Sequence, residues 1–110
     1  MISELDVEKA IDYLRSSAQD AASARANVKY LAEFLRSKRA QLKVAQSGLS
    51  NAAADDVALS DPSYLQLLDG YKVAVEKDAF HSFKREAAGA LIEAWRTMQA
   101  NARAEGRAYT

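Results

Sequence analysis

The chain has 110 residues, a length for one domain. It contains no cysteine, which excludes disulfides, thiolate catalysis and cysteine-ligated zinc or iron–sulfur sites. Four glycines and one proline argue against an all-β fold, and fifteen basic residues against fifteen acidic ones leave no net charge to name a partner.

The opening Met1-Ile2-Ser3-Glu4-Leu5-Asp6 is acidic, without the basic start and apolar run of a secretory signal. No apolar run approaches membrane-spanning length, so the expectation is a cytoplasmic protein without a membrane partner. Glycine and proline are absent from Glu4 to about Gln46, which reads as one long helix. Ser3 is placed to cap it, with Asp6 three residues on. Val7, Leu14, Ala21, Val28, Leu35 and Leu42 recur every seven residues, and Ile11, Ala18, Ala24, Leu31 and Ala32 thicken the stripe. A sustained period of seven predicts coiled-coil-like packing. The Ala/Ser-rich stretch from Ser16 to Ala26 either admits a close neighbour or bends, and a continuous helix is expected.

Gly48 is suited to end this helix, because it tolerates a left-handed backbone. Residues 47–61 have the composition of a loop, in which Ser50 could cap a short turn through Ala54. Asp61-Pro62 then restarts the helix, with a capping Asp before Pro at the first helical position. A second helix is predicted from Pro62 to about Ala104. Its apolar stripe reads Tyr64, Leu68, Tyr71, Val75, Ala79, Phe83, Ala87, Leu91, Ala94, Met98. Gly70 and Gly89 lie inside it at a cost of about 1 kcal/mol each relative to Ala, which suggests close contacts or bends.

The predicted fold is therefore all-α, a single helical domain over residues 1–110 built from two long antiparallel helices in a hairpin. Helices of on the order of 40 residues are about 60 Å long. Such a pair leaves much of its stripe uncovered, which predicts a homo-oligomeric bundle or, second, breaks that fold the helices back.

Charge is segregated along the chain. Residues 1–24 carry a net of −3, 25–43 a net of +5, 44–62 a net of −3 and the remainder +1. At about 100° per residue, Arg25, Lys29, Arg36, Arg39 and Lys43 fall within roughly 80° of one another. Arg85, Arg96, Arg103 and Arg107 share a face of the second helix that should point to solvent or to another molecule. Lys and Arg in line on a helix can follow a nucleic-acid backbone, so Arg25, Lys29, Arg36, Arg39, Lys43, Arg96, Arg103 and Arg107 form the candidate DNA-binding set. The competing reading is charges that flank a helical seam and pair across it.

Tyr30 and Phe34 stand four apart, away from the main stripe, and Trp95 lies at the edge of the second stripe. They are candidate contacts for a protein partner. No catalytic motif is present: Asp78-x-x-His81 is half of a carboxylate di-metal motif without its other half, and Walker and Rossmann loops are missing. The expectation is a protein that is not an enzyme and takes neither metal nor cofactor.

The run Ile92-Glu93-Ala94-Trp95-Arg96-Thr97 with Ala100-Asn101 and Arg103 resembles small helical proteins of tailed phages and prophages. Tyr30-Leu31 with Phe34, Arg36 and Lys38, and Asp61-Pro62 followed by Tyr64, are similar to the same family. That resemblance implies a setting among recombination and replication genes in a host cytoplasm, and brings no assigned site residues. The leading functional expectation is a phage-type accessory protein of DNA recombination or replication. The alternative is a protein-binding adaptor or an inhibitor of a host enzyme.

Overall fold

A computed structural model describes residues 1–108, and among these every regular element is a helix. The elements are α1 (Glu4–Ser16), α2 (Ala18–Val44), α3 (Asn51–Ser60) and α4 (Pro62–Ala108). The helix starts follow from local chemistry. Ser3 and Asp6 form a reciprocal capping box, Ser3 Oγ accepting from the Asp6 amide at 3.1 Å and Asp6 Oδ2 from the Ser3 amide at 2.8 Å. Ser50 caps α3 by accepting from the Ala53 amide at 3.2 Å. Asp61 Oδ1 accepts from the Ser63 amide at 2.8 Å at the head of α4. Gly48, at φ 86°, takes the left-handed turn between α2 and α3.

The helix boundaries depart from the sequence reading in three places. The single helix expected over residues 4–46 is two helices, because Ser17 interrupts it. The segment 47–61 is not a loop throughout: beyond the Ser50 cap, α3 continues for ten residues to Ser60. The last helix runs past Ala104 to Ala108.

The chain divides into two compact units. A terminal unit comprises Met1–Ala21 and Phe80–Thr110, and a middle unit comprises Ala22–Ala79. In the terminal unit, Val7, Ala10, Leu14, Ser17 and Ala21 are covered on the N-terminal side, and His81, Arg85, Ala88, Ile92 and Trp95 on α4. The middle unit covers Ala24, Val28, Leu31, Leu35, Lys38 and Leu42, and on α4 Tyr64, Leu67, Tyr71, Ala74 and Asp78. Steps of three and four alternate in every series, the period of a helical seam.

On α4 this seam is not the predicted stripe. Leu68, Val75 and Phe83 are exposed. Seven-residue steps from Tyr71 lead to Asp78, Arg85 and Ile92, so polar residues hold seam positions that a search for apolar spacing passes over. Nor do Gly70 and Gly89 mark close packing within the chain, since a Cβ at either would meet no atom within 4 Å.

Burial is shallow. Five of the seven buried apolar residues are alanine, and among the described residues no large side chain is fully buried. Leu35 is the largest buried side chain, at 8% exposure.

Candidate functional site

The predicted basic set separates into three groups. In the first, cations of α2 meet acids of other helices in the middle unit. Arg25 lies 3.6 Å from Asp78 of α4. Arg39 donates through Nε to Asp55 Oδ1 at 2.6 Å and through Nη2 to Oδ2, and Lys43 Nζ adds a contact at 3.9 Å. Two parallel N–H···O bonds are the strong geometry for guanidinium and carboxylate. They fasten α3 to α2. Asp55 comes from the segment that the sequence reading took as a loop.

The Arg39 hydrogen bond, with the charges of Arg39 and Lys43, holds the Asp55 carboxyl below the usual carboxylate range. A lowered folded-state value means that the stabilisation is complete above the usual range and is lost as pH falls through the lowered value. Asp6 and Asp61 are lowered in the same direction by hydrogen bonds from Ser3 and Ser63. Acid titration followed by circular dichroism should therefore show Asp55→Asn less stable than the wild type at pH 7, with the two converging at low pH. Parallel acid curves would show that the pair adds nothing.

The second group is Lys29 and Arg36. Both are exposed, and Arg36 reaches only Glu33 of its own helix, at 3.6 Å. The third group lies on the last part of α4. Arg96 meets Glu93 at 3.0 Å, and Arg107 Nε donates to the Arg103 carbonyl at 3.5 Å. Trp95, Arg96, Gln99 and Arg103 line an open groove of about 530 Å³. Every residue from Arg96 to Ala108 is exposed.

Arg85 does not join that outward face. It is part-buried, and its Nη1 donates to the Leu14 carbonyl at 2.8 Å and to Ser17 Oγ at 2.7 Å. The hydroxyl of Ser17 belongs to the buried residue that interrupts α1 and α2, so Arg85 bonds the chain at its break. Lys84 Nζ lies 5.0 Å from the centre of the Tyr13 ring and 5.4 Å from that of Phe80. The Tyr13 hydroxyl and His81 Nδ1 are buried without a hydrogen-bond partner. Sequence reasoning missed Arg85 as a seam residue. The signal was its seven-residue distance from Asp78 and Ile92.

The predicted protein-contact residues differ from one another. Tyr30 and Phe34 lie side by side with ring centres 6.1 Å apart, and they are 63% and 42% exposed. Trp95 is half-buried at the end of the terminal unit's seam. No described helix is long and apolar enough to cross a membrane. The described residues bring no three His, Cys, Asp or Glu side chains together to hold a metal ion. Comparison with family models, curated proteins and solved structures finds no match to this chain.

Proposed function

We propose that this chain is a non-enzymatic helical interaction protein that docks a protein partner on the Tyr30–Phe34 surface and is completed as a bundle by further copies of itself. The observation that carries this reading is the exposed aromatic pair. Two large rings stand together on α2, outside the seam, where water gains nothing by contact with them. Aromatic side chains of this kind dominate interface energetics when a partner desolvates them. Within the middle unit the ion pairs of α2 run against the chain order of α3 and α4: Arg25 near its start meets Asp78 of α4, while Arg39 and Lys43 near its end meet Asp55 of α3. Shallow burial supports further copies, because a seam of alanines covers little area.

A second reading is contact with nucleic acid, favoured by Lys29 and Arg36, which stand exposed and clear of the acids of the other helices. The resemblance to phage and prophage proteins would set either activity in DNA recombination or replication. Salt and mutation separate the two. In the protein-docking reading, partner capture by the immobilised chain persists at about 0.5 M salt and falls at least about tenfold in Tyr30→Ala/Phe34→Ala. For nucleic acid, anisotropy of labelled single- and double-stranded DNA reports binding that weakens steeply between about 50 and 200 mM salt and disappears in Lys29→Glu/Arg36→Glu. Capture that survives removal of both rings would overturn the leading assignment.

A further inference from the structure

Part of the apolar stripe predicted on α4 lies outside the seam and stands in water. Leu68 and Val75 are exposed, and Phe83 is 70% exposed. Large apolar side chains along one side of a helix mark a surface that another element covers. All these positions belong to one helix, unbroken from Pro62 to Ala108. At about 100° per residue, Leu68, Val75, Ala79 and Phe83 fall within roughly 80° of one another.

Two charged residues share that face. Lys72 and Glu86 are both exposed, and neither belongs to an ion pair of the described residues. Lys72 stands seven residues before Ala79 and Glu86 seven after it. Val75 and Phe83 stand four to either side of Ala79, and Leu68 and Ala90 eleven to either side.

This symmetry selects the occupant. Two copies of α4 laid antiparallel, with their Ala79 residues opposed, set Lys72 of each against Glu86 of the other. The same register sets Val75 against Phe83 and Leu68 against Ala90. Among the Asp, Glu, Lys and Arg residues from 65 to 93, only Lys72 and Glu86 stand equidistant from Ala79, so no like charges are opposed. A parallel pairing would set Lys72 against Lys72 and Glu86 against Glu86. We infer that this face of α4 pairs with the same face of a second copy, antiparallel about Ala79, in a two-fold dimer. The apolar positions supply the area, and the two Lys72–Glu86 pairs fix direction and register.

This pairing rests on the proposal that the chain assembles with itself, and it names the surface. Sedimentation equilibrium of the full chain at about 0.1 M salt tests it, with helicity checked by circular dichroism. The wild type is expected to form dimers. Lys72→Glu and Glu86→Lys are each expected to raise the dissociation constant at least about tenfold, because each opposes like charges twice in the dimer. The chain carrying both changes, Lys72→Glu/Glu86→Lys, should return to wild-type affinity, since opposite charges meet again. That recovery cannot come from a variant that fails to fold. Val75→Ser/Phe83→Ser should weaken the dimer while helicity is kept. A wild type at one chain mass overturns self-assembly and this contact together, and leaves the face to a partner of another sequence. A multimer that neither the charge reversals nor Val75→Ser/Phe83→Ser weakens overturns this contact alone. Single reversals that weaken the multimer without recovery in the charge-swapped chain overturn the antiparallel register.

Discussion

Replacement of Arg85 by alanine is expected to lower the unfolding free energy by about 2–3 kcal/mol, for a fall in melting temperature of about 10 °C at fixed protein concentration. The guanidinium donates to the Leu14 carbonyl and to the Ser17 hydroxyl, where the first helical tract is interrupted. Its removal leaves a buried hydroxyl without its donor, and the stranded group is the larger part of the cost. The control follows from the same argument. Ser17→Ala with Arg85→Leu removes both side-chain partners and sets apolar groups in the seam, so it should recover most of the lost stability. Chemical denaturation of the three variants checks this. If Arg85→Ala unfolds like the wild type, the arginine is a surface residue in solution and the polar seam is wrong.

The second large effect is expected beside the aromatic pair. Leu35→Ala should cost about 2–3 kcal/mol, because Leu35 is the largest buried side chain among the described residues and alanine leaves a cavity in a seam with little other bulk. Its neighbour Phe34 is the larger residue, yet Phe34→Ala should cost less than Leu35→Ala, since Phe34 is exposed and stands outside the seam. Adjacent residues thus separate fold from function: Leu35→Ala should lose stability, whereas Phe34→Ala should stay folded and lose partner capture. Comparable losses of stability at both positions would place Phe34 in the core and remove it from the docking surface.

Local features were legible in the string because they depend on near neighbours. The Ser3/Asp6 box, the Ser50 cap and the Asp61-Pro62 start each need groups within four residues. The seven-residue repeat from Val7 to Leu42 was legible too, because its members are apolar and each is covered in the structure. The repeat on α4 was not, because it passes through Asp78, His81 and Arg85. A polar residue at a seam position is recognised only through the group that satisfies it. For Arg85 that group lies 71 residues away, at Leu14.

The candidate site divides the same way. Charge counting found the basic stripe on α2, and helical spacing put Tyr30 beside Phe34. It could not tell which cations were already neutralised. Arg39 and Lys43 meet Asp55 only because residues 51–60 fold as a third helix against α2. Composition, capping and period, all short-range properties, determined by themselves that this is a helical chain, where α1, α3 and α4 begin, and which side of the first tract turns inward. Tertiary structure alone decided which polar groups lie in the seam, which charges are paired and which aromatic rings remain in water. Those outcomes depend on groups distant in sequence, brought together by packing.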